Sequence, residues 1–273
     1  MLNSIPFDYI KESKKLFVTT IEKTTEFVNE KARGIALQLG VPFIERKKKT
    51  IIQLQKKYEQ PCIVVGKMKT ELYGYLSTDP VFFHPNMASI RFKRLNNQEP
   101  DPFIEATQLK KGMSMLDCTM GMASDTLIAS FICGVEGKVV GLEINPYLYL
   151  VIKDGLQNYP FKSPSLKTAA NQIICLNDDY LDYLKKAEDN SYDVVYFDPM
   201  FTETIHESQA VQTLSSFASF KDLEKEAISH ALRVARKRVV LKDYFRSHRF
   251  HDFGFEVDRR KSAKFHYGCI ELE

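Results

Sequence analysis

Five apolar runs mark the chain from residue 103 onward: SMLDCT (114–119), KVVGLEI (138–144), QIICLN (172–177), YDVVYFD (192–198) and KRVVLKDY (237–244). Most are too continuous to be strands with one wet face. They predict strands covered on both sides by helices, which is a parallel sheet. Helical spacing fills the gaps: DTLIASFICG (125–134), then NPYLYLVIKDGLQNY (145–159), where Asn145 caps and Pro146 opens the first turn. DLEKEAISHALRVAR (222–236) follows, with Leu223, Ala227, Ala231 and Val234 in a stripe. FEVDRR and KFHYGCIELE predict a closing antiparallel hairpin.

The first ninety residues are patterned differently. LFVTT (16–20) and CIVVG (62–66) are β-rich, and between them Val28, Ala32, Ile35, Ala36 and Leu39 recur at helical spacing behind Thr24-Thr25 and before Gly40. A second helix starts at Thr50, with Ile51, Ile52 and Leu54 on its buried side. ELYGYLS and VFFH read as strands separated by a Thr-Asp-Pro turn. The polar segment RFKRLNNQEPDP (91–102) is the expected linker. The fold class expected is therefore α/β: a doubly wound, Rossmann-like domain over 103–273 with a smaller N-terminal α/β lobe over 1–90, in keeping with a length of 273 residues.

Composition narrows the class without naming it. With 44% apolar and 27% charged residues the chain is an ordinary globular protein. The five cysteines are odd in number, far apart and without C-x-x-C spacing, so neither a disulfide framework nor a metal site is expected. The N-terminal residues show no apolar signal region, and no run approaches the ~20 apolar residues of a membrane span. A cytoplasmic protein with no membrane partner is expected; the oligomeric state is left open.

The net charge of +3 argues against a nucleic-acid partner until it is divided along the chain. Basic and acidic side chains number 17 and 10 over residues 1–100, 10 and 19 over 101–232, and 11 and 6 over 233–273. An acidic middle lies between two basic ends. The candidates for phosphate contact are Arg46 to Lys49, the trio Arg91, Lys93 and Arg94, the run Arg236 to Arg238, and Arg246, Arg249, Arg259, Arg260 and Lys261. Most charge runs are only solvated faces, so this pattern permits RNA without requiring it.

Chemistry concentrates where the strands end. The first strand-to-helix turn is Asp117-Cys118-Thr119-Met120-Gly121-Met122-Ala123-Ser124-Asp125. Nucleotide-type ligands bind at such ends, where small residues admit the backbone and helix amides face the ligand. A lone glycine serves many α/β turns that hold no ligand, so this turn alone leaves the cofactor undecided. Glu143, 22 residues after Gly121, ends the second strand, either as an acceptor for both hydroxyls of a ribose or as a surface acid capping the helix that begins beside Asn145. Asn177-Asp178-Asp179 follows the third strand, as adenine contacts or as caps of the next helix. A nicotinamide enzyme would use Glu143 in the same way, but it has no use for Asp117.

Asp198-Pro199-Met200-Phe201, directly after DVVYF, resembles the (D/N/S)-P-P-(Y/F) signature of methyltransferases that modify exocyclic amines, with Met200 replacing the second proline. The lone pair of such an amine is delocalised into its ring. A carboxylate and the Pro199 carbonyl that accept its N–H bonds would align it with a methyl donor, while an aromatic ring stacks on the base.

Taken in order, DCTMGMASDTL, GLEINP, DVVYFDPMF and ARKRVVLK resemble the RsmJ-type ribosomal RNA guanine-N2 methyltransferases and their Gram-positive relatives, over about residues 103–273. The resemblance implies a class I fold, S-adenosylmethionine as cofactor and RNA, in the small ribosomal subunit, as partner. It implies Asp117, Thr119, Gly121, Ser124, Asp125, Glu143, Asp178 and Asp179 around the cofactor, Asp198, Pro199 and Phe201 at the reaction, and Lys242 and Arg246 toward the substrate. PFIERKKKT and FFHPNMASIRFKRL place the N-terminal lobe closer to the Gram-positive relatives. His84, Pro85, Asn86 and His206 are further candidates near the cleft. The alternatives are methylation of a protein or small molecule, or a non-catalytic RNA-binding protein on the same scaffold.

Overall fold

A computed structural model describes residues 15–199, 222–260 and 263–272. Two compact units emerge: residues up to His84 with Asn145–Pro160, and Pro85–Ile144 with the rest of the described chain beyond Pro160.

In the first unit, β1 (Phe17–Thr20), β2 (Cys62–Val65), β3 (Thr70–Tyr73) and β4 (Val81–Phe82) form one sheet in that order. β1 and β2 are parallel and the other pairs antiparallel. Helix α1 (Glu26–Leu39) buries the five residues that set its period, is capped by the Thr25 side chain, and stops where Gly40 turns left-handed at φ 64°. Thr50 and Gln53 make a reciprocal capping box for α2 (Ile51–Tyr58). Leu54 and Gln55 are its buried residues, while Ile51 and Ile52 are half-buried. Gln55 tolerates burial because it donates to the Gly74 carbonyl at 2.8 Å and accepts from the Leu76 amide at 3.0 Å. Helix α6 (Pro146–Asn158) belongs to this unit: Asp154 takes Lys31 at 2.7 Å and the Thr70 hydroxyl at 2.6 Å. Gly155 is required there, since a Cβ would stand 2.0 Å from Cβ of Phe83.

The second unit opens with α3 (Asn86–Asn96) and α4 (Pro102–Thr107). The segment expected as a linker is therefore helical up to Asn96. Ala88 is buried, and the Phe92 ring meets Phe131 edge-on at 4.9 Å. There follow β5 (Ser114–Asp117), α5 (Ser124–Cys133), β6 (Lys138–Leu142), α7 (Pro164–Gln172), β7 (Ile174–Leu176), α8 (Tyr180–Lys186) and β8 (Tyr192–Phe197). The chain ends with α9 (Lys225–Val234), β9 (Ala235–Tyr244), α10 (Arg249–Asp252), β10 (Glu256–Asp258) and β11 (Phe265–Glu271). The sheet order is β10-β11-β9-β8-β5-β6-β7. β9, β8, β5, β6 and β7 are parallel, and β11 and β10 close the edge as the expected antiparallel hairpin. This is the expected doubly wound sheet. All six residues of β8 are buried, as their continuous apolar run predicted.

β5 lies between β6 and β8, so the winding reverses there and opens a crevice at the carboxyl ends of β5 and β8. Among the described residues no helix is long and apolar enough to cross a membrane.

Candidate active site

The first turn after β5 is held by its own aspartate. Asp117, 1% exposed, accepts the Thr119 amide at 3.0 Å and the Thr126 hydroxyl at 2.6 Å, and desolvation lifts its carboxyl to about 7. Gly121 adopts φ 48° and Ala123 φ 58°, a conformation that strains a side-chain-bearing residue. Ala123 is the N-cap of α5, and no side chain caps that helix. The first α5 amides, at Ser124 and Asp125, thus form an end suited to a carboxylate ligand.

Beyond β6, Glu143 is 8% exposed, and its amide donates to the Leu176 carbonyl at 3.1 Å. Asn177 ties the ends of β6 and β7 together, its amide nitrogen donating to the carbonyls of Glu143 at 2.7 Å and Ile144 at 2.9 Å. The Asn177 Oδ1 atom is buried without a hydrogen-bond donor among the described residues. Asp179 is the N-cap of α8, accepting the amides of Leu181 and Asp182. Asp178 accepts the Asp179 amide through Oδ1, at 2.9 Å, and desolvation raises its carboxyl.

Asp198 follows β8, and the registry of β8 with β9 sets Phe197 opposite Leu241 and brings Lys242 beside it. Lys242 donates to Asp198 at 2.6 Å and reaches Asp125 at 3.3 Å. The Asp198 amide donates to the Thr119 hydroxyl at 2.6 Å, joining the first turn to the fourth strand. Desolvation and the nearby Asp125 raise the Asp198 carboxyl to about 6 against the pull of Lys242. Lys242, between two carboxylates, is held well above its ordinary range.

Asp125 is the hub of this end of the sheet. Its Oδ2 accepts the Tyr196 hydroxyl at 2.8 Å as well as Lys242, and its Oδ1 takes Arg91. Arg91 also grips Asp101 through two bonds, at 2.7 and 2.9 Å. Arg91, expected as a phosphate contact, is instead an internal side chain only 14% exposed. The polarity of α3 hid this, and the Asp101-Pro102 pair signals only the start of α4, not the arginine that Asp101 holds.

The other basic candidates separate by position. Arg236 and Lys237 pair with Asp193, and Arg238 with Glu271, at the start of β9, the end of the sheet away from Asp198. Arg94 pairs with Glu99. Arg249 is tied to Asp243 and Asp222. Arg246, just past the other end of β9, is exposed, lies 4.9 Å from the centre of the Phe245 ring, and meets no carboxylate among the described residues. Arg259, Arg260 and Lys264 are exposed in the turn between β10 and β11, at the same end. Phe201, Met200, His206 and Lys261 lie outside the described residues.

The acceptor set suits S-adenosylmethionine. That molecule presents an ammonium, two ribose hydroxyls and an adenine amine. The carboxyl edge offers acceptors in order: Asp117, Glu143, Asp178 and the undonated Oδ1 of Asn177.

Comparisons with known proteins show the family and the fold. Residues 46–253 match the model of the family described as "Putative SAM-dependent methyltransferase". The Bacillus subtilis protein YpiP is 40% identical over 93% of this chain and 98% of its own. The Francisella tularensis subsp. novicida ribosomal RNA small subunit methyltransferase J is 39% identical over 49% of this chain, and the match spans 58% of that relative. The crystal structure of a SAM-dependent methyltransferase from Neisseria gonorrhoeae superposes with a TM-score of 0.62, covering 93% of this chain and 95% of that one; at 15% identity it speaks for the fold alone. The chain belongs to this family: it is an S-adenosylmethionine-dependent methyltransferase of class I fold.

Proposed function

We propose that the methyl acceptor is an exocyclic amine, guanine N2 of ribosomal RNA in the small subunit. The observation that carries the proposal is Asp198-Pro199 at the carboxyl end of β8, with the carboxylate held by Lys242 at the point where the sheet order reverses. The printed name of the Francisella relative supports RNA as substrate, as do the exposed Arg246, Arg259, Arg260 and Lys264 at the same end of the sheet.

When bound, S-adenosylmethionine supplies an electrophilic methyl group on a positively charged sulfur. Asp117, Glu143 and Asp178 are assigned to its donors, and the Ser124 end of α5 to its carboxylate; Asp179 is committed to capping α8. The Asp198 carboxylate and the Pro199 carbonyl accept the N–H bonds of the amine, with Phe201 assigned to stack on the base. Alignment supplies most of the assistance, because the amine sheds its proton after attack and no strong base is needed. Paired with the Lys242 ammonium at 2.6 Å, the carboxylate accepts rather than donates.

The test is incubation of undermodified small ribosomal subunits with labelled S-adenosylmethionine, followed by nucleoside analysis. Label in N2-methylguanosine is expected. Label in ribosomal protein, or none in RNA, overturns the proposal.

A further inference from the structure

Five charged side chains alternate through the second unit: Asp101 at the N-cap of α4, Arg91 on α3, Asp125 in the first turn of α5, Lys242 on β9 and Asp198 after β8. Three carboxylates thus share two cations, and the division is uneven. Lys242 stands 2.6 Å from Asp198 but 3.3 Å from Asp125. The second oxygen of Asp125 is served by Arg91. Arg91 has no freedom to leave: its Nε and Nη2 hold Asp101 while Nη1 holds Asp125, and its guanidinium lies 5.2 Å from the centre of the Phe103 ring. Phe103 in turn meets the ring of Tyr196 edge-on at 5.0 Å, and the Tyr196 hydroxyl returns to Asp125.

We infer that Arg91 is a positioning residue for methyl transfer: by neutralising Asp125 it leaves Lys242 to Asp198, so that the carboxylate facing the substrate amine keeps its cation. This rests on the reading of Asp198 as the amine acceptor. Without Arg91, Asp125 has only the Lys242 ammonium that Asp198 also uses, and it draws Lys242 toward itself. Asp198 then loses its cation in a desolvated place where other negative groups surround it. The groups that face it are Asp117 and Thr119 from β5 and its turn, Asp125 from α5, Tyr196 from β8, Lys242 and Asp243 from β9, and Tyr267 from β11. Asp243 is itself held by Arg249 and the Ser247 hydroxyl, so Lys242 is the cation that decides the charge of Asp198. The sign is fixed: removing a cation moves a carboxyl upward, from about 6 toward neutrality.

The experiment is a carbon-13 titration of the aspartate carboxyls in the full chain carrying Arg91→Met, with the Asp198 resonance assigned through Asp198→Asn. It is paired with pH profiles of kcat/KM on undermodified small ribosomal subunits. The expected result is an upward shift of about one pH unit in the Asp198 midpoint and in the acidic limb of the profile, with most of it restored by Arg91→Lys. A merely structural Arg91 would lower the melting temperature and leave both midpoints in place, which overturns the inference. Should Arg91→Met fail to fold, Arg91→Met with Asp101→Asn removes the cation together with its second carboxylate, and the same shift is read. If Asp198→Asn keeps full turnover, the role given to Asp198 fails, while the titration still judges the coupling to Arg91.

Discussion

Asp193 and Asp198 stand at opposite ends of β8, and each faces cations from β9, yet the surroundings treat them in opposite ways. Asp193 accepts the Ser114 amide at 2.8 Å and hydroxyl at 2.9 Å, and takes Arg236 at 3.1 Å and Lys237 at 3.4 Å. These bonds hold its carboxyl below the usual range. Its two cations are 45% and 55% exposed, so water shares the work of solvating them. Lys242 is the one cation that pairs with Asp198 among the described residues; Asp198 shares it with Asp125 and is pushed up to about 6. One carboxylate is fully served by the fold and is structural. The other has one cation within reach among the described residues and shares it, at the carboxyl end of the strand where the crevice opens.

The contrast is broken most sharply by Asp198→Ala. Turnover is expected to fall by about a hundredfold or more while S-adenosylmethionine binding, read by calorimetry, is retained. Equal loss of binding would remove Asp198 from the reaction. Asp193→Ala, at the other end of the same strand, is expected to leave turnover near that of the parent chain.

Next in size is Lys242→Met. It leaves Asp125 and Asp198 facing each other with one cation fewer in a partly buried place, which costs about 3 kcal/mol of stability in urea unfolding. Turnover falls with it. If stability is unchanged, the cation is not what holds this end of the sheet together.

The acids at the strand ends were legible in the sequence because a buried strand announces where it stops: Asp117, Glu143 and Asp198 fall at the ends of apolar runs. Their partners were not legible. Arg91 and Asp101 sit in a polar stretch with no apolar run around them, and their link to Asp125 is a tertiary pairing that no local pattern encodes. Asp179 is a case where a local pattern is legible, since an aspartate before a helical run predicts a cap and its Oδ1 accepts the Leu181 and Asp182 amides. The basic run Arg236 to Arg238 was legible as charge but not as place. Only the parallel registry of β8 and β9 puts it at the far end of the sheet from Asp198.

A smaller effect separates the two carboxylates by pH. Asp193 has a native value below its unfolded one, so its contribution is complete at neutral pH and is lost as the pH falls below about 4. Asp193→Asn is therefore expected to cost about 2 kcal/mol at pH 7 and to flatten the stability curve on the acid side. A variant that loses stability equally at every pH would show that packing, rather than charge, is what Asp193 provides.

The smallest change expected is at Arg236, and it tests whether the far end of the sheet is as forgiving as its exposure implies. Arg236 reaches Asp193 at 3.1 Å with nearly half of its side chain in water, and Lys237 remains within 3.4 Å when it is removed. Water replaces an exposed cation at little cost, and the Ser114 amide and hydroxyl still satisfy the carboxylate. Arg236→Ala is then expected to cost about 0.5 kcal/mol in urea unfolding, with turnover unchanged. A loss near that of Lys242→Met would mean that Asp193 depends on this one cation, and the difference between the two ends of β8 would disappear.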